Sequence, residues 1–298
     1  MSSYTGGFRA AQRSFKGTMD GKITRRQFIK GLAAAGAVGA AGVSGYGGVV
    51  EAWDYELTET VVPVKGLPER FEGFRIAQVS DVHHGRLVPI SEVRRVVELA
   101  NSVRADLVAL TGDYTTSLRR YVEPCAEALA GLRAPEGVWA VLGNHDHRTD
   151  GPFTRQALAR RGIEVLTNEN TSLRRGADVL QLAGADDWGW GKADFARAVR
   201  GLDASRPTVM LSHEPMALDV PQTRTVSLIL SGHTHGGQVT LPVVGAPAAY
   251  VWKHLKYLRG MYESEGTLLY VSRGTGMIGV PVRVGARPEV AVLRLQRA

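Results

Sequence analysis

Residues 74–85 read Phe74-Arg-Ile-Ala-Gln-Val-Ser-Asp81-Val-His83-His84-Gly85, an apolar run of strand length that ends in a carboxylate, two imidazoles and a glycine. The same pattern recurs along the chain. Ala105–Thr111 ends in Gly112-Asp113, and Gly137–Leu142 ends in Gly143-Asn144-His145-Asp146-His147. Pro207–Ser212 ends in His213-Glu-Pro, and Thr225–Ser231 ends in Gly232-His233-Thr-His235-Gly-Gly-Gln. Short runs rich in Val, Ile and Leu, bounded by Gly and polar residues, read as strands. Between them, Ile90–Arg104 sets Ile90, Val93, Val96, Val97, Ala100 and Val103 on one helical stripe. Val122–Leu132, Phe153–Arg161 and Ala193–Leu202 also read as helices. Strands alternating with helices predict an α/β fold with a largely buried sheet. Further on, Leu268–Ser272, Val280–Val284 and Glu289–Leu295 follow one another across turn residues, which predicts antiparallel strands. From about Trp53 onward the chain reads as one α/β domain with a partly antiparallel second sheet.

Seven of the eight histidines lie in these clusters and only His254 stands apart. A single histidine is more often a packed or surface residue than a ligand. The joint pattern differs, because His, Asp and Asn sit at successive strand ends beside Gly or another small residue that lets backbone approach an ion. Ligands of open α/β sheets sit outside the carboxyl ends of the strands, so the five ends would converge on one crevice. Imidazole and carboxylate donors without thiolate select manganese, iron or zinc. Seven such residues are too many for one tetrahedral site. They suit two divalent ions about 3.5–4 Å apart with one bridging carboxylate, the arrangement that clamps a phosphoryl displacement.

The N-terminus reads differently. Of the formal net charge of +7, residues 1–50 carry +6, so the basic balance belongs to a leader and implies no nucleic-acid partner. Thr24-Arg25-Arg26-Gln-Phe-Ile-Lys30 precedes an uncharged, Ala- and Gly-rich stretch from Gly31 to Val50. That is the layout of an export signal, and the paired arginines are similar to the twin-arginine type that carries folded proteins. The expected division is a leader over 1–52 and a domain over 53–298. Export through the twin-arginine machinery would deliver the protein to the periplasm or cell envelope, with membrane or wall association, or a retained tether, left open. Cys125 is the only cysteine, so no intramolecular disulfide is possible, and its place on a helix reads as a small buried apolar residue.

Asp81-x-His83, Gly112-Asp113, Gly143-Asn144-His145-Asp146, His213 and Gly232-His233-x-His235 resemble, in order and approximate spacing, the five blocks of the calcineurin-like metallophosphoesterases. The resemblance covers about residues 74–240, with Ser272-Arg273-Gly274 fitting the later part. The leader and the Gly-His-Thr-His-Gly-Gly-Gln block are most similar to the bacterial branch of the YkuE and YaeI kind. This resemblance implies a four-layer αββα sandwich with two mixed sheets. It implies Asp81, His83 and His235 on one metal, Asn144, His213 and His233 on the other, and Asp113 as the bridge. His145 would face the substrate phosphate without binding metal and would protonate or stabilise the leaving oxygen, with Asp146 as its orienting partner and a metal-bound hydroxide as nucleophile.

Arg86 and Arg273 are candidate phosphate contacts. Trp188, with Trp190, is a candidate wall beside the substrate, weighed against ordinary packing. His84 reads as an exposed loop residue, and His147 as a supporting or exposed one. The expected function is that of an exported dinuclear-metal phosphoesterase acting on a phosphate ester, with a diester as the leading class. Two other readings stay open: a membrane-associated pyrophosphatase of a lipid-linked nucleotide sugar, of the UDP-2,3-diacylglucosamine diphosphatase type, and a non-catalytic envelope metal-binding protein.

Overall fold

Every central apolar run forms a strand because both of its faces are covered. In the computed structural model the described residues are 42, 45–48, 50–241, 245–247 and 256–298. The twin-arginine segment and His254 lie outside them. In chain order the strands are β1 (Glu56–Val64), β2 (Arg75–Val79), β3 (Leu107–Leu110), β4 (Val138–Ala140), β5 (Glu164–Val165) and β6 (Glu169–Arg175). They continue as β7 (Asp178–Gly184), β8 (Thr208–Leu211), β9 (Leu228–Ser231), β10 (Gly260–Ser264), β11 (Thr267–Val271) and β12 (Glu289–Arg297). The α-helices whose full extent lies among the described residues are α1 (Ile90–Ser102), α2 (Val122–Leu129), α3 (Asn144–Ala159) and the single turn α4 (Phe195–Ala198).

The strands make two six-stranded sheets, ordered β1-β12-β2-β3-β4-β5 and β10-β11-β9-β8-β7-β6. Strand alternation explains the layering. On β3, Leu107 and Ala109 face the other sheet, where they join Ile76, Leu182, Val209, Leu211, Leu228 and Leu230. Val108 and Leu110 face outward onto Val93, Val96 and Val97 of α1 and Val122, Ala126 and Leu129 of α2. The second sheet carries its own outer core, with Met210, Ile229 and Leu269 against Phe195, Ala217 and Leu218. The result is the four-layer αββα sandwich with two mixed sheets. Gln78 crosses the central layer: its Nε2 donates to Thr111 Oγ1 at 3.0 Å and to the Ser231 carbonyl at 2.9 Å, tying the ends of β2, β3 and β9 together.

Several elements differ from the sequence reading. The helix expected at Phe153 starts at Asn144, with a break in its helical dihedrals at Asp150. The helix expected over Ala193–Leu202 shrinks to α4. Residues 280–284 are no strand; Val284 makes only an isolated bridge with Val239. The last strands are mixed rather than antiparallel throughout, since β11 runs parallel to β9 and β12 parallel to β1, although β12 is antiparallel to β2. Val43–Ala298 forms one compact unit. Glu51 and Ala52 are buried in it, Glu51 accepting the Ala286 N–H at 3.0 Å and Ala52 packing with Val88 and Met277. No helix among the described residues is long and apolar enough to cross a membrane.

Candidate metal centre

Parallel pairing of β2, β3 and β4, and of β7, β8 and β9, points the carboxyl ends of these strands to one edge of each sheet. The loops that leave them are laced together by backbone hydrogen bonds. Asp81 N–H donates to the Gly112 carbonyl at 3.0 Å, His83 N–H to Asp113 at 2.9 Å, Gly232 N–H to His213 at 3.1 Å and Gly276 N–H to Asp81 at 2.7 Å. Asp81, His83, Asp113, His233 and His235 all have positive φ, between 51° and 72°. Left-handed backbone at a non-glycine residue costs of order 1 kcal/mol or more and concentrates at functional sites. Here the strain falls on the residues whose side chains converge.

Asp113 lies at the centre. Its Oδ2 is 3.4 Å from His83 Nε2 and 3.3 Å from His213 Nε2, while Oδ1 accepts the His145 N–H at 2.8 Å. On one side, His83 Nε2 approaches His235 Nε2 to 3.1 Å, and Asp81 Oδ1 is 3.5 Å from His235 Nε2. On the other, His213 Nε2 meets Asn144 Oδ1 at 3.1 Å and His233 Nδ1 at 3.2 Å. His213 Nδ1 donates to the Thr111 carbonyl at 2.8 Å, which leaves Nε2 as its ligating atom. Asp81, held by Ser80 Oγ at 2.6 Å and by the His233 N–H, reaches both Asp113–His213 and His83–His235.

The donor set fits two cations. Burial drives the His83 imidazole down to about 3 and carries His235 well below the usual histidine range, with Arg283 adding to the effect at His235. Two neutral rings with nitrogen atoms 3.1 Å apart leave lone pairs that a cation would satisfy. Burial would raise the Asp113 carboxyl, yet His213 and then His83 hold it well below the carboxylate range, so it is a fixed anion between the two groups.

His145 stands apart from both groups. Its Nδ1 donates to the Thr116 carbonyl at 2.6 Å, and the ring meets His83 edge-on at 4.9 Å between centroids. Its Nε2 has no hydrogen bond among the described residues and carries the lone pair or proton that can be exchanged. Asp146 does not touch the His145 ring, contrary to its expected orienting contact. Its Oδ2 accepts the N–H groups of Asp113 (2.8 Å) and Gly143 (2.9 Å), and its Oδ1 that of Tyr114 (2.9 Å). Asp146 therefore fixes the loop that carries both Asp113 and Thr116. Burial, reinforced by Asp113, raises its carboxyl to about 7.

The remaining candidates separate. Arg273 is spent on structure: Nε donates to Glu289 and Nη2 to Glu56, at 2.8 and 2.7 Å, so it is no phosphate contact in this conformation. Arg86 is exposed on the loop that follows His83-His84. Trp188 is 50% exposed, with its ring edge-on to Phe195 at 5.8 Å. His84 is buried rather than exposed, with Nδ1 on the Val88 carbonyl at 2.9 Å. His147 pairs with Asp186 at 2.7 Å.

Residues 74–237 match the calcineurin-like phosphoesterases, and residues 22–42 match the twin-arginine translocation pathway signal sequence. The chain belongs to the calcineurin-like phosphoesterase family. It is a metal-dependent phosphoric ester hydrolase. The uncharacterized metallophosphoesterase YkuE of Bacillus subtilis is 35% identical, over 92% of this chain and 98% of that one. The phosphodiesterase YaeI of Escherichia coli is 28% identical, over 92% and 99%. A transmembrane protein with a metallophosphoesterase domain from Danio rerio is 33% identical over 85% of this chain, which spans 60% of that longer protein.

The structure of this metallophosphoesterase adds residues that sequence reasoning passed over. Arg283 is fully buried beneath His235. Its guanidinium donates to the carbonyls of Gly276 (2.6 Å), Ala286 (2.8 Å) and Arg273 (2.9 Å), and Nη2 lies 3.4 Å from His235 Nδ1. Burial lowers it to about 10, so it remains a cation at neutral pH and braces the 273–286 loop against the His235 side of the cluster. The available signal was an arginine between two valines in an otherwise apolar segment, Pro281-Val-Arg283-Val. Two glycines are equally particular. A Cβ on Gly232 would overlap Ser80 Oγ and Asp81 Oδ2, and one on Gly143 would overlap Asp113 Oδ1.

Proposed function

We propose that this protein is an exported phosphodiesterase with a dinuclear centre, in which Asp81, His83 and His235 hold one ion, Asn144, His213 and His233 hold the other, and Asp113 is shared. The observation that carries this reading is the place of Asp113, with one oxygen within 3.4 Å of ring nitrogens from both groups. Manganese, iron or zinc suits this donor set. When bound, the ions would supply Lewis acidity toward the phosphoryl oxygens and activate water.

The chain's own residues do the rest. Asp113, kept anionic, holds the two halves at a fixed separation. Thr116 holds the His145 ring by accepting from Nδ1, so that Nε2 faces the reacting group and, when it too carries a proton, hands that proton to the leaving oxygen. Asp146 acts as a positioning residue through backbone N–H groups. The edge-on contact of His83 with His145 sets the proton donor beside the first ion group. The phosphodiester preference rests on the relative named as a phosphodiesterase. Residues 1–52 would direct export by the twin-arginine machinery of a protein already folded and loaded, and residues 53–298 would carry the activity, at the cell envelope.

A substrate panel tests this reading. Purified protein supplied with manganese, zinc or iron would be assayed on bis(4-nitrophenyl) phosphate, 4-nitrophenyl phosphate, nucleotide sugars and a lipid-linked pyrophosphate. The diester is expected to give the highest kcat/KM. Asp113→Ala is expected to lose metal and turnover together. His145→Ala is expected to keep its metal while kcat falls about 10²–10⁴-fold. Equal metal loss in the two variants would contradict the roles assigned to them.

A further inference from the structure

Between α3 and the loop that follows β7 lies a cavity of about 400 Å³ that no metal role accounts for. Its walls include Leu142, His147, Pro152, Arg155, Trp190 and Lys192. We propose that this cavity is the leaving-group pocket, and that it selects phosphodiesters whose departing alcohol carries a planar aromatic ring. The proposal rests on the phosphodiesterase reading, because it places the pocket on the His145 side of the scissile bond.

Position is the first argument. Leu142 immediately precedes Gly143-Asn144 on the chain, and His147 stands three residues after Asn144 in α3, on the same helix face as that candidate ligand. An alcohol protonated by His145 has its substituent next to the start of this helix. The opposite wall lies near His213 along the chain's second sheet. The Asp186–Lys192 loop follows β7, the neighbour of the strand that delivers His213, and a Cβ on Gly189 would stand 3.7 Å from both Asp187 and Glu214, the residue after His213.

Construction is the second. The helical dihedrals of α3 break at Asp150, and the Gly151-Pro152 that follows lines the cavity. A side chain at 151 would run into the His147 ring, its Cβ 2.7 Å from Nδ1. The loop wall is rigid. His147 Nε2 is held on Asp186 Oδ1 at 2.7 Å, Asp186 Oδ2 accepts the Lys192 N–H at 2.8 Å, and Asp187 Oδ1 accepts the Trp190 N–H at 2.6 Å. A site fixed before the ligand arrives loses little entropy on binding.

Chemistry is the third. Trp190 is 62% exposed, in a protein whose other core-sized side chains are mostly buried, and its ring carries the Arg148 guanidinium at 5.2 Å. An indole presented at the mouth of an apolar cavity offers a stacking face to a flat ring. Arg148 and Lys192 bring positive charge to that mouth, whereas Arg155 is paired with Glu169 at 3.2 Å. A planar aromatic ring attached to an anionic phosphodiester matches both features.

The test is the preference of the metal-loaded enzyme for methyl 4-nitrophenyl phosphate over methyl 2,2,2-trifluoroethyl phosphate, expressed as a ratio of kcat/KM. Taking the same ratio in a variant cancels the intrinsic difference between the leaving groups. Trp190→Ala is expected to lower the aryl preference about fivefold to tenfold, with metal content unchanged, and Trp190→Phe to keep most of it. A preference within twofold of wild type in Trp190→Ala would overturn the pocket assignment while leaving the phosphodiesterase reading intact. Failure of the wild-type protein to hydrolyse either ester under any of the three metals would overturn both.

Discussion

At the scale of single residues, the centre depends on side chains that are absent as much as on those present. Gly232 lets the loop before His233 press onto Ser80 and Asp81, so a methyl group there has to displace the Asp81 carboxylate. Gly232→Ala is therefore expected to lower affinity for the first ion by more than tenfold, measured by metal titration of the apoprotein, while the second site retains its ligands. Equal affinity in wild type and variant would show that Asp81 is not positioned through this contact. The histidines and carboxylates of the centre were legible from the sequence because each stands a few residues beyond an apolar run. Arg283 was missed, because an arginine between two valines does not by itself say what it will be buried against. Its partners are five backbone carbonyls, and only the folded loop brings them to one place.

At the scale of elements, the junction of β1, β11 and β12 is held by a buried carboxylate. Glu289, 2% exposed, accepts from Thr58 Oγ1 at 2.6 Å, from the Tyr270 hydroxyl, and from Arg273 Nε at 2.8 Å. Burial alone would raise its pKa, but Arg273 and the hydroxyl donors hold it below the usual glutamate range. A depressed carboxylate stabilises the fold above its unfolded-state pKa of about 4.3, and the contribution disappears as pH falls through the lower folded value. Glu289→Gln is expected to cost about 1–3 kcal/mol at pH 7 in denaturant unfolding. The gap between variant and wild type should close as the pH drops below about 4. A gap independent of pH would remove the charge from the account. The central strands could be read in advance because both faces are apolar. The strands β1, β6 and β10 are half-exposed, with Glu, Thr, Asn, Arg or Ser along them, and such segments offer no continuous run to detect. The early start of α3 was hidden for another reason. Asn144-His-Asp-His is poor helix material, and it winds because Asp146 reaches back to the Gly143 N–H.

At the scale of the whole molecule, two sheets pack face to face, and loops from the carboxyl ends of strands in both converge on one cluster. Gln78 links β2 to β3 and β9 within the protein, but the two ligand groups come from loops of both sheets. Ions held between them would tie one half of the sandwich to the other. Binding that favours the native state adds about 2.7 kcal/mol at a hundred times the dissociation constant. Chelation is accordingly expected to lower Tm by at least about 5 °C, reversibly on readdition of manganese or zinc. An unchanged Tm would mean that the sandwich closes without its ions. The same geometry suits export in the folded state, since a centre built from both sheets exists only after the domain has folded.

The most direct test is anomalous diffraction from crystals of the metal-loaded protein, with the ion count checked by elemental analysis. Two peaks are expected, about 3.5–4 Å apart, with the Asp113 carboxylate touching both and the His145 ring touching neither. A single peak, or two peaks that do not share Asp113, would contradict the dinuclear centre on which the phosphoesterase chemistry proposed for this protein depends.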